Sequence, residues 1–196
     1  MLNIKDNIPN TLTLLRIIML PMFIILLVYN HVHLALLTFF FASLTDILDG
    51  YFARILNQKT ELGSYLDPIA DKILINSSLI VFSTMDINSA SGIIPLWYTI
   101  IVISRDIIII FGYFVVFFIA GKVKVVPSRE GKATSFLNVF VIGLVLVFLS
   151  LGLSQPYFDK IKYLLYFVSV ITVISGLKYI LQGINLINAG QDHISD

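Results

Sequence analysis

The stretch Asp46-Ile47-Leu48-Asp49-Gly50-Tyr51-Phe52-Ala53-Arg54, followed after eight residues by Gly63-Ser64-Tyr65-Leu66-Asp67-Pro68-Ile69-Ala70-Asp71, places four aspartates among long apolar runs. An ionised carboxylate in a bilayer-embedded helix costs several kcal/mol unless something compensates it, so intramembrane acids mark function by default. A spacing of three residues turns a helix by about 300° and a spacing of four by about 400°, so each pair, Asp46/Asp49 and Asp67/Asp71, falls on one helix face.

The rest of the chain makes a membrane the only reasonable solvent. Of 196 residues 58% are hydrophobic and only 13% charged, against about a quarter charged in soluble domains. The mean hydropathy is +0.93. Apolar runs of spanning length, roughly 20 residues each, read as 10–30, 34–56, 67–86, 92–120, 134–152 and 160–187. The fold expected is therefore an all-α integral membrane protein, a bundle of six transmembrane helices forming a single domain over 1–196. Arg16 interrupts the first run and no small-residue cleavage site follows, which argues for a retained helix. There is no cysteine, so neither disulfide nor thiolate chemistry is available.

Six spans put the N-terminus, the 55–66 and 121–133 loops and the C-terminus on one side. Lys5, Arg54, Lys59, Lys122, Lys124, Arg129 and Lys132 gather there, whereas the connections at 31–33 and 87–92 carry no Lys or Arg. The positive-inside rule makes that side, and with it both termini and the acids, cytoplasmic. Pro68 reads as a first-turn proline, so the third helix is expected to start near Leu66, with Gly63 in the loop before it. Trp97 and Tyr98 read as an interfacial anchor at the outer end of the fourth helix. His31, His33 and His193 read as loop and tail residues without function.

Four closely packed carboxylates cannot all ionise without cations, because like charges in a low dielectric raise each other's pKa. Asp46, Asp49, Asp67 and Asp71 are thus candidate metal ligands, and an oxygen-only set favours Mg²⁺ or Mn²⁺. Two such ions about 4 Å apart clamp the attacking and leaving oxygens of a phosphoryl displacement. Gly50 and Ala53 keep one helix face open for a ligand, or for close helix packing. Arg54 offers a planar cationic fork suited to phosphate oxygens.

The pattern Asp46-x-x-Asp49-Gly50-x-x-Ala53-Arg54, eight residues, Gly63-x-x-x-Asp67-x-x-x-Asp71 resembles the complete signature of the CDP-alcohol phosphatidyltransferases, with every fixed position matched. The resemblance implies that Asp46, Asp49 and Asp67 hold the two metal ions and that Asp71 is the catalytic base for the attacking hydroxyl. It implies that Asp46, Asp49, Gly50, Ala53, Arg54 and Gly63 bind the CDP moiety, with Arg54 near the diphosphate and Gly63 leaving room for the nucleotide. The partners implied are CDP-diacylglycerol, an alcohol acceptor, membrane lipids and a second copy of the chain in a homodimer, with no nucleic acid. A cation transporter is the competing class, but its ionisable groups belong near the midplane at a repeat interface. These acids gather at one end of their helices, and no repeat is visible.

Asn7-Ile8-Pro9-Asn10-Thr11-Leu12-Thr13-x-x-Arg16 resembles the branch of that family that makes phosphatidylglycerophosphate and cardiolipin. The run Ile103-Ser104-Arg105-Asp106 and the loop Pro127-Ser128-Arg129-x-Gly131-Lys132-x-Thr134 look closer to the cardiolipin-forming members. The acceptor expected is therefore phosphatidylglycerol, with glycerol 3-phosphate as the alternative. Arg105, Arg129 and Lys132 are the candidate acceptor-binding residues; Arg105 sits within a span and needs an anionic partner, either an acceptor phosphate or a carboxylate. Asp106, about 100° away on the helix, is expected to pair with Arg16 or Lys72.

Overall fold

The computed structural model describes residues 8–55, 61–85, 87, 92–120, 129–153 and 155–192; the side chains of 8–14 and 46–71, among others, lie outside the description. Among the described residues there are six helices: α1 (Ile8–Val28), α2 (Val32–Ile55), α3 (Glu61–Thr84), α4 (Leu96–Ala120), α5 (Arg129–Ser150) and α6 (Gln155–Asp192). Three of them contain stretches long and apolar enough to cross a membrane, Leu96–Val116, Glu130–Ser150 and Pro156–Ile187. The other three contribute shorter apolar segments, Ile18–Val28, Val32–Thr45 and Lys72–Thr84.

The outward surface is hydrocarbon-like. Phe111, Phe118, Phe136 and Tyr163 are all more than two-thirds exposed, and so large an apolar surface is stable only against lipid. Buried hydroxyls are satisfied within their own helices: Ser78 donates to the Leu74 carbonyl at 2.6 Å and Thr172 to that of Val168 at 2.8 Å. This is the back-bonding a side-chain hydroxyl adopts where water is absent.

Two helix ends show why the chain reverses where it does. After α1, Asn30 takes a left-handed φ of 59°, His31 N–H donates to the Leu26 carbonyl at 2.8 Å and Asn30 N–H to that of Leu27 at 3.0 Å. After α5, Gly152 at φ 64° repeats the pattern, with Leu153 bonding back to Phe148 and Gly152 to Leu149. Both are Schellman caps, which suit residues that tolerate the left-handed region.

The chain divides into two compact units. The first comprises residues 1–94 and 142–158, the second 95–141 and 159–196. In the first, α1 packs against both α2 and α3, with Phe23, Leu27, Ala35, Phe39, Leu79 and Phe82 buried and Phe23 and Phe39 5.7 Å apart between ring centroids. In the second, the buried side chains include Val102, Val116, Leu165 and Val168 alongside many polar groups.

Several boundaries differ from expectation. The third helix begins at Glu61, not Leu66, so Gly63 is helical and Pro68 is the eighth residue of α3. Thr60-Glu61, a hydroxyl residue followed by an acid, is a start signal ahead of both. A proline is tolerated inside a membrane helix because neighbouring groups re-satisfy the freed carbonyl. The fifth helix begins at Arg129, so Arg129 and Lys132 belong to its first turn and not to a loop. The sixth runs from Gln155 to Asp192, beyond both expected ends. Tyr98 is fully buried, so its ring does not face outward as an interfacial anchor would.

Candidate active site

The four aspartates are carried by two helices that share α1 as a packing partner. Asp46, Asp49, Gly50, Ala53 and Arg54 occupy the last ten residues of α2, and Gly63, Asp67 and Asp71 the first eleven of α3. The buried residues Ala35, Phe39 and Ala42 of α2 follow one another at spacings of four and three. Continuing that alternation leads to positions 46, 49 and 53. On α3, Phe82, Ser78 and Ile75 are buried, and further steps of four lead back to 71 and 67. Positions 46, 49, 67 and 71 thus continue, in helical register, the spacing of the buried residues earlier in α2 and later in α3. The side chains of the signature residues lie outside the described residues.

Four carboxylates with no nitrogen or sulfur donor fit a hard divalent cation. Among the described side chains, which do not include those of the four aspartates, no group of three or more His, Cys, Asp or Glu is placed to hold a metal.

The second unit holds the remaining candidates, and it uses its charges differently. Arg105, on α4, is 5% exposed. Its Nη1 donates to Asp106 Oδ1 at 2.8 Å, its Nη2 donates to Ser175 Oγ of α6 at 2.9 Å, and its guanidinium lies 5.6 Å from the Tyr179 ring centroid. Gly176 lies alongside this arginine; a Cβ there would sit 3.5 Å from Arg105 Cγ, an ordinary contact. Arg105 and Asp106 thus bond to each other although their Cα–Cβ vectors diverge, because the long arginine stem folds back. Of the two partners expected for Arg105, phosphate or carboxylate, the structure supplies the carboxylate.

Sequence reading passed over the other members of this network. Ser175 and Tyr179 lie some 70 residues from Arg105 and no local motif links them. Lys178 of α6 pairs with Glu130 in the first turn of α5, beside Arg129, whose side chain is not described, and near the exposed Lys132. Tyr98 donates from its hydroxyl to Asn138 Oδ1 at 2.7 Å, and Asn138 Nδ2 donates to the Thr134 carbonyl at 3.0 Å, tying α4 to α5 within the unit. Trp97 stacks on Tyr166 of α6 with centroids 5.0 Å apart and planes 13° from parallel. His31 and His33 are both exposed; His31 lies in the turn before α2, as expected, whereas His33 is the second residue of that helix and not of a loop.

An apolar groove of about 480 Å³ runs between the second halves of α4 and α6, lined by residues such as Ile108, Phe111, Gly112, Ile180 and Gly183. It offers hydrocarbon contact and little means for chemistry.

Comparison with known proteins agrees with the signature. The family model described as CDP-alcohol phosphatidyltransferase matches residues 6–185, one continuous segment through both units. The chain is 34% identical over 181 residues to the probable phosphatidylglycerophosphate synthase of Mycobacterium tuberculosis, covering 89% of this chain and 80% of that one. It is 32% identical over 189 residues to the CDP-diacylglycerol–glycerol-3-phosphate 3-phosphatidyltransferase of Bacillus subtilis (88% and 93%), and 35% over 185 residues to the protein of that name from Aquifex aeolicus (92% and 98%). No solved structure matches the chain. A signature complete at every fixed position and a match over nearly the whole length establish that this membrane protein belongs to the CDP-alcohol phosphatidyltransferase family.

Proposed function

We propose that the protein transfers the phosphatidyl group of CDP-diacylglycerol to glycerol 3-phosphate, forming phosphatidylglycerophosphate and releasing CMP. The phosphatidyltransferase class follows from the family; the acceptor is the inference. The observation that supports the chemistry is the signature of four aspartates, whose positions 46, 49, 67 and 71 continue in helical register the spacing of the buried residues of α2 and α3.

The acceptor differs from the one expected. Phosphatidylglycerol rested partly on Ile103-Ser104-Arg105-Asp106, but Arg105 is committed to Asp106, Ser175 and Tyr179, so this run carries little acceptor information. Relatives covering most of the chain are named for glycerol 3-phosphate, which favours the alternative. With Arg105 committed elsewhere, Arg129 and Lys132 are the residues proposed for the phosphate monoester; their position in the first turn of α5 supports this, since a helix N-terminus favours an anion.

In this reading Asp46, Asp49 and Asp67 hold two Mg²⁺ or Mn²⁺ ions. Bound there, the ions supply Lewis-acid polarisation of the phosphoryl group. Arg54 steadies the diphosphate, Gly50, Ala53 and Gly63 leave the nucleotide room, and Asp71 takes the proton of the attacking hydroxyl. The acceptor oxygen bonds to the phosphorus that carries diacylglycerol, the bond from that phosphorus to the bridging oxygen breaks, and CMP leaves with the electron pair. Six spans, cytoplasmic termini, a site at the cytoplasmic end and a homodimer complete the proposal. Support for the orientation is the Lys and Arg bias toward one side.

The test offers purified protein CDP-diacylglycerol and Mg²⁺ with glycerol 3-phosphate and phosphatidylglycerol together, and identifies the lipid made. Phosphatidylglycerophosphate is expected. Cardiolipin as the dominant product would overturn the acceptor assignment and leave the class intact.

A further inference from the structure

The opening motif that ends in Arg16 has no task in the reaction above. Arg16 is 1% exposed and is the ninth residue of α1. It shares a buried face with Phe23 and Leu27, at successive offsets of seven and four. A guanidinium keeps its proton under all ordinary conditions, so a cation buried at this depth needs negative charge on the face it presents.

Helix register identifies where that charge lies. α1 and α2 pack together and are joined by the short turn through Tyr29, Asn30 and His31, which makes them antiparallel. Phe23 meets Phe39 across the pair, and Leu27 and Ala35, one turn closer to the connection, are both fully buried. Moving seven residues from Phe23 toward the start of α1 reaches Arg16, and moving seven from Phe39 toward the end of α2 reaches Asp46. Each step advances about 10.5 Å along its helix, in the same direction. Arg16 and Asp46 therefore stand at the same level of one helix pair, each on the continuation of its helix's buried stripe. Asp49, one turn further, stands level with Thr13, which carries no charge.

We propose that Arg16 is the fixed counter-cation of Asp46, a positioning residue that holds this carboxylate in place at the edge of the acid cluster. The catalytic consequence rests on the reading of Asp46 as a metal ligand; the pairing does not. α1 also packs on α3, which makes Asp67 and Asp71 the rival partners.

The test uses the full chain in detergent. Melting temperatures in EDTA are measured for the wild type, Arg16→Met, Asp46→Asn and the double variant. The double variant is expected to lose less than the sum of the single losses, by at least about 2 °C, while the same cycles with Asp67→Asn and Asp71→Asn are additive. Should Arg16→Met not accumulate, Arg16→Gln gives the same cycle.

Kinetics with Mg²⁺ then separate positioning from helix adhesion. Per folded molecule, kcat is expected to fall about tenfold or more in Arg16→Met with KM for CDP-diacylglycerol changed less than about twofold, and Arg16→Lys is expected to recover most of kcat. An additive 16/46 cycle, coupling to Asp67 or Asp71 instead, or an unchanged kcat per folded molecule overturns the proposal. If Asp46→Asn retains full activity the metal-ligand reading fails, and the metal-free cycle still decides the pairing.

Discussion

Each unit of this protein buries an arginine, and the two arginines stand in different surroundings. In the second unit Arg105 is closed off by its chain neighbour Asp106, by Ser175 and by the Tyr179 ring. Thr99, Thr134, Asn138, Ser169 and Thr172 are buried in that unit too. In the first unit Arg16 is buried on a face otherwise marked by Phe23 and Leu27, level with the first of four acids that the signature assigns to catalysis. A buried charge in lipid can serve as internal adhesive, as Arg105 does, or stand level with residues that a reaction uses, which is the place proposed for Arg16.

The sharpest way to break that contrast is to neutralise one acid in each unit. Asp71→Asn is expected to lower phosphatidyl transfer by about 10²–10⁴-fold, the range for a lost general base, with little change in melting temperature. Asp106→Asn is expected to do the reverse, lowering the melting temperature while keeping activity per folded molecule within a few-fold. Equal loss of activity from both would mean that the Arg105 network belongs to the reaction.

Next in size is the network's own energy. Arg105→Met leaves Asp106 buried without its cation and is expected to destabilise by about 3–5 kcal/mol, whereas Arg105→Met with Asp106→Leu recovers a large part, because the uncompensated charge has gone. Chemical unfolding in detergent measures both. Tyr98→Phe removes one interhelical hydrogen bond, to Asn138, and is expected to cost roughly 0.6 kcal/mol, the average for such bonds in membranes, and no more than about 1.7 kcal/mol, the largest measured. Smallest is Gly176→Ala: its Cβ would rest 3.5 Å from Arg105 Cγ, an ordinary contact. Its melting temperature is expected to stay within about 2 °C of wild type, the alanine's helix preference offsetting slight crowding.

The contrast also explains what could be read from the chain alone. Asp46, Asp49, Asp67 and Asp71 were legible because their spacing and surroundings are local, and helix periodicity converts both into a shared face. The start of α3 was not, because Gly63 and Pro68 are the louder local signals and outweigh the weaker start signal of Thr60-Glu61 ahead of them. Tyr98 was read from its position near a helix end; its partner Asn138 is forty residues away, and one-dimensional pattern holds no record of that distance. The Arg105–Asp106 pair is hidden in the sequence because the Cα–Cβ vectors of adjacent helix residues diverge, while a side chain with four rotatable bonds reaches its neighbour easily. The Glu130–Lys178 pair escaped for the same reason as Tyr98.

The central claim is that the acids of α2 and α3 drive phosphatidyl transfer to glycerol 3-phosphate. It is tested most directly by following CMP release from CDP-diacylglycerol by the purified protein in Mg²⁺, with and without glycerol 3-phosphate, before and after EDTA. The expected result is CMP formed one for one with phosphatidylglycerophosphate, dependent on the acceptor, stopped by EDTA and restored by Mg²⁺. Release that ignores glycerol 3-phosphate, or that persists after the metal is removed, would contradict it.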